Sequence, residues 1–107
     1  MQKKIIATAT DFRSDKYVLC WLPDRRDFVH WMVGAKDFHN KESYYLGRYF
    51  LNLNDAIDDF KDRVNYQHEE TKIDWKIPAQ KWNEAQVVLF FELDKDSRGG
   101  ELDGRRE

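Results

Sequence analysis

The sequence predicts a small α+β domain: a curved antiparallel sheet of four to five strands carrying one amphipathic helix, in the order β-β-β-β-α-β-β. Three observations predict it. Two β-branched and aromatic runs, Lys16–Leu22 and Asp27–Val33, are parted only by Pro23-Asp24-Arg25-Arg26. Between residues 52 and 64 the apolar side chains recur at helical spacing. Later segments return to strand character, 71–77 by alternation and 86–93 by a dense apolar run.

The first two runs form a hairpin. Pro23 fixes φ at the turn entrance, and Asp24 is placed to bond the amides that follow. Both strands are apolar on both faces. Tyr17, Leu19 and Trp21 oppose Val18, Cys20 and Leu22, while Phe28, His30 and Met32 oppose Val29, Trp31 and Val33. Neither face reads as solvated, so each is expected to be covered by helix, by tail or by a partner.

A polar connection from Gly34 to Ser43, containing His39, leads to a strand over 44–51 with Gly47 at its middle. A glycine there marks a bulge or a backbone crossed by an aromatic of the next strand. The helix follows, with Asn52 as its N-cap and Asn54 as the competing cap; Leu53, Ala56, Ile57, Phe60 and Val64 form the packing face. Asp55, Asp58, Asp59 and Asp62 fall on the other face. Asp55 suits the helix dipole, whereas Asp62 stands near the end where an anion is disfavoured. Carboxylates at this spacing repel by about 0.2–0.5 kcal/mol per pair, so helix stability alone does not account for them.

In 71–77, Ile73, Trp75 and Ile77 face one way, as on an edge strand, and Pro78 ends it. The run 86–93 reads as a central strand. From Asp94 the chain holds one large apolar residue and three glycines, too little to offset ordering entropy. The division is thus one globular domain over 1–94 and a disordered polar tail over 95–107.

The 107 residues suffice for one core without disulfides or metal. With 20 acidic and 18 basic residues the net charge is -2, which supplies no global basic field and disfavours direct nucleic-acid binding. The single cysteine, Cys20, lies in an apolar run, as suits a reduced thiol in the cytoplasm. At the N-terminus Lys3 and Lys4 precede a short apolar stretch, and no long hydrophobic run follows, so neither a signal peptide nor a membrane span is expected. Aromatic residues make up 15% of the chain, more than a core of this size is expected to hide, which predicts an exposed aromatic patch.

No catalytic signature emerges. His30, His39, His68 and Cys20 lack the paired spacing of a zinc site, and no cofactor motif occurs. Cys20 and His30 are placed to face one another across the hairpin, but in apolar strands the bland reading of both is core packing, with His30 a satisfied core histidine. The aspartate stripe points toward water, where no carboxyl is desolvated for acid–base work. No glycine-rich phosphate loop or nucleophile elbow is present.

The reading that absorbs most features is a non-enzymatic protein-binding domain. Asp55, Asp58, Asp59 and Asp62, extended in sequence by Glu69 and Glu70, suit a partner with a basic surface, carboxylates standing in for phosphates. In size and charge placement, rather than by any motif, the chain resembles small acidic phage or mobile-element proteins that block nucleic-acid enzymes, including anti-CRISPR proteins and restriction inhibitors. The resemblance implies an inhibitor of a nucleic-acid-handling protein. The alternatives use the sheet: Trp21, Trp31, Tyr45, Arg48 and Tyr49 as a contact surface for nucleic acid or a small ligand, or for a homodimer.

Overall fold

The computed structural model describes residues 2–34 and 43–102, with side chains through Leu93. Strands β1 (Lys4–Thr10), β2 (Lys16–Leu22), β3 (Asp27–Val33) and β4 (Tyr44–Phe50) form an antiparallel meander. Helix α1 (Leu53–Arg63), strand β5 (Lys72–Trp75), a 3-10 turn (Ala79–Lys81) and helix α2 (Glu84–Leu102) follow. The sheet has five strands in the order β4-β3-β2-β1-β5, so the last strand returns to lie beside the first.

The hairpin is in register from Lys16↔Val33 to Leu22↔Asp27. Since paired residues share a face, its two apolar sets become two separate packing layers. Tyr17, Leu19, Trp21 and Phe28 join Leu53, Ala56, Ile57, Phe60 and Val64 in the main core, where every helix position expected to pack is buried. On the other face Val18, Cys20, Leu22 and Val29 form a smaller layer under Trp31, Val33 and Tyr44. The turn is closed by the amides of Arg25 and Arg26 on Leu22 O, not by Asp24. The Asp24 carboxylate instead accepts from the Gln2 amide at 3.3 Å.

Both explanations of Gly47 hold, except that the aromatic lying on it comes from the preceding strand β3 and not from the next one. The β3–β4 register shifts between His30 and Met32, with Leu46 at φ 55°. A Cβ on Gly47 would lie 2.5 Å from Trp31 Nε1, so the indole rests directly on this backbone.

Asn52 caps α1, its Oδ1 accepting from the Asp55 amide at 3.1 Å. A second cap comes from far along the chain: Glu84 Oε2 accepts from the Leu53 amide at 2.8 Å. Asn65, at φ 55°, ends the helix, and Tyr66 N–H returns to Lys61 O at 3.1 Å. β5 is an edge strand pairing with β1, and Ile73 and Trp75 pack on the core with buried Ile77 beyond.

The expected central strand over 86–93 is a correction: these residues are the first turns of α2. A short apolar run fits a buried strand or a helix equally, so its length does not decide. The residues just before it do. Asn83 Oδ1 accepts from Gln86 N–H and Gln86 Oε1 accepts from Asn83 N–H, both at 2.9 Å, a reciprocal capping box. Val87 and Phe91, one helical turn apart, enter the main core, while Leu89, Phe90 and Leu93 are exposed. The backbone of α2 remains helical to Leu102, within the segment expected as tail; 103–107, and 35–42 with His39, lie outside the described residues.

Candidate functional site

The most concentrated polar constellation lies between the sheet and α1. His30, fully buried on β3, meets Asp59 Oδ2 through Nε2 at 2.8 Å and Arg63 Nη1 through Nδ1 at 3.1 Å. A guanidinium only donates, so Nδ1 is the acceptor and Nε2 carries the hydrogen given to Asp59. Arg48 from β4 also donates to Asp59 Oδ2, at 3.1 Å. Burial pushes the His30 imidazole down to about 4, against the opposing pull of the Asp59 bond. Burial by itself would raise Asp59, but the bonds from Arg48 and His30 outweigh it and hold the carboxyl below its usual range. Burial and the neighbouring Arg48 lower Arg63, which remains a cation.

The arrangement resembles a catalytic relay but leaves His30 without a free nitrogen or contact with solvent. Its capacity is mechanical: it fixes α1 to β3 and β4 through charge-assisted bonds. The Cys20–His30 pairing is corrected by register. Cys20 pairs with Val29 and His30 with Leu19, which puts thiol and imidazole on opposite faces of the sheet. Burial pushes the Cys20 thiol up to about 12, the state of an unreactive core residue.

Asp59 is therefore separated from the stripe to which its spacing assigned it. Asp55, Asp58 and Asp62 are exposed, and no cation of a described residue lies within 4 Å of any of them. Glu69 and Glu70 are exposed on the turn that follows. Beside Asp62, at the C-terminal end of α1, a depression of about 530 Å³ is lined by Phe12, Lys61, Asp62, Tyr66 and His68 among others. There Phe12 stacks on His68 at 4.3 Å, and His68 Nδ1 accepts from the Glu70 amide at 3.1 Å.

The expected sheet-surface set divides. Trp21 is 3% exposed in the main core against Phe28, so it is not a surface residue; its place on the helix-covered face buries it. Tyr45 and Arg48 pair with Met32 and His30 on that same face, exposed at the β4 edge, with Arg48 committed to Asp59. Trp31 and Tyr49 share the opposite face, ring to ring at 6.3 Å, and Tyr44 stacks on Trp31 at 5.4 Å. Lys3 sits over the Tyr44 ring at 5.0 Å and Arg25 over that of Tyr49 at 4.5 Å.

Sequence reasoning missed Asp11. Its buried carboxylate accepts from the amides of Arg13 and Asp15, from Tyr17 Oη and from Arg13 Nη2, all at 2.9–3.0 Å, and so builds the β1–β2 turn. Burial opposes its ionisation, but these bonds hold its carboxyl below the usual value. An aspartate two residues before an arginine in a polar turn was the available signal. Among the described residues no group of three or more histidine, cysteine, aspartate or glutamate side chains is placed to hold a metal ion, and no helix is long and apolar enough to cross a membrane. Comparison with protein-family models, curated proteins and solved structures gave no match.

Proposed function

We propose that this protein is a non-enzymatic binding domain that docks the exposed face of α1 onto a basic surface of another protein, of the kind that holds nucleic acid, and thereby inhibits it. The observation that carries the reading is the state of Asp55, Asp58 and Asp62: three carboxylates on one rigid helix, exposed and without cation partners among the described residues. At a rise of about 1.5 Å per residue they present negative charge along a line, as a strand of phosphates does. The depression beside Asp62 gives the partner's chemistry more definition. A carboxylate next to Tyr66 and Phe12 suits an arginine, whose planar guanidinium both pairs with carboxylates and stacks on rings. It takes the places that Lys61, 5.3 Å over Tyr66, and Arg13, 5.2 Å over Phe12, hold in the free chain.

Asp59 is no part of this docking face, because its carboxylate already anchors His30 and Arg48. The test uses the full chain as bait in a lysate, beside the triple variant Asp55→Asn/Asp58→Asn/Asp62→Asn. The expected result is a captured protein with a basic nucleic-acid-binding surface, displaced by added nucleic acid and lost with the variant. Retention of the partner by a folded triple variant overturns the reading.

A further inference from the structure

We infer that the face of the sheet opposite the two helices is a docking surface for single-stranded nucleic acid. The overall charge of -2 hides an uneven distribution. The exposed acids described above stand on α1 and the turn after it, over one face of the sheet. The register places Lys16 and Lys72 on the other face, paired along the line Lys16–Thr10–Lys72, and Lys3 reaches across it to Tyr44. No carboxylate of a described residue lies within 4 Å of Lys3, Lys16 or Lys72. Of the described acids on that face, Asp74 pairs with Lys76 at 2.6 Å, and Asp27 is buried, its Oδ2 3.4 Å from Arg25 and its Oδ1 without a hydrogen-bond partner.

On the β3–β4 side of Lys16 and Lys72 run the three rings Tyr44, Trp31 and Tyr49, with Trp31 in contact with both tyrosines and all three partly or largely exposed. A row of rings flanked by lysine and arginine is the combination that holds single strands, with phosphates on the cations and bases stacked on the aromatics. An acidic peptide would satisfy the charges but leave the rings unused, whereas every base offers a π-face. A duplex keeps its bases stacked on one another and withholds them. A pocket of about 270 Å³ next to Tyr44, edged by Ile5, Thr8, Thr10 and Lys16, gives an unstacked base a place to enter. The surface is independent of the acidic helix, which lies on the other side of the sheet.

The experiment is a fluorescence-anisotropy titration of the full chain with a labelled oligothymidylate and with a duplex of the same length, over a range of salt. Expected is single-strand binding at roughly micromolar to 100 micromolar dissociation constants that weakens with salt, with a weaker duplex signal. Tyr49→Ala should reduce affinity by about fivefold or more through the lost stacking. Lys16→Gln and Lys72→Gln should each flatten the log–log salt slope by about 0.7. Asp58→Asn should change nothing. Absence of single-strand binding at low salt, or binding whose affinity and slope survive these surface variants, overturns the inference. So does a dimer by sedimentation that the same variants dissociate, since the occupant would then be a second copy.

Discussion

An imidazole enclosed between a carboxylate and a guanidinium cannot take a second proton without losing a bond. Protonation of His30 would set its Nδ1 hydrogen against the donor of Arg63, 3.1 Å away. The unfolded chain protonates this residue near pH 6.5, the folded one only at about 4. Stability is therefore full above pH 6.5 and falls as pH drops toward 4, by on the order of 3 kcal/mol over the whole window. Urea midpoints at pH 7 and 5 check this. His30→Gln, which can still donate to Asp59 and accept from Arg63, should remove the dependence in that window. Below pH 4 the loss continues, because the unfolded chain protonates Asp59 and Asp11 near 3.8 while their carboxyls in the fold are held lower and still resist the proton. Neighbouring aspartates should also differ sharply: Asp59→Ala is expected to destabilise by about 1–3 kcal/mol, leaving the His30 N–H buried without an acceptor. Asp58→Ala should stay within about 0.5 kcal/mol. The sequence made these two look equivalent. Both fall on the non-apolar side of α1, and only the arrival of β3 and β4 beneath residue 59 distinguishes them.

At the level of elements, the hairpin was legible because two β-branched and aromatic runs flank a Pro-Asp turn, and α1 because period and polarity agreed at every position, from the Asn52 cap to the buried Val64. β5 was legible for the same reason, its alternation coinciding with one buried face. α2 was not, because eight apolar-rich residues satisfy either backbone and its exposed Leu89, Phe90 and Leu93 blur the helical stripe. The Asn83–Gln86 pair held the information in a spacing of three. Asn83→Ala should cost about 1 kcal/mol and raise amide exchange in the first turn of α2, measured by hydrogen-exchange mass spectrometry. Gly47→Ala should cost about 1–3 kcal/mol in urea denaturation and shift tryptophan emission, since the added methyl must displace the Trp31 indole. The outer face of the sheet was half legible. Excess aromatics and two-sided strands announced it, but which rings share it depends on the β4 register shift, which no local pattern encodes.

Taken whole, the described part of the molecule is a sheet with the unpaired carboxylates of α1 over one face and Lys3, Lys16 and Lys72 on the other, a separation invisible to a summed charge. Its topology has a further cost in time. The first four strands and α1 pair or pack with sequence neighbours, but β1 gains its second neighbour only when Lys72–Trp75 returns to it. On the ribosome the outer edge of β1 therefore waits, with its hydrogen-bonding groups open, until Lys72–Trp75 has emerged. Sheet completion is the non-local, slow event of such a fold. A nascent chain stalled between α1 and β5 would be the form that chaperones meet and that aggregates if they do not.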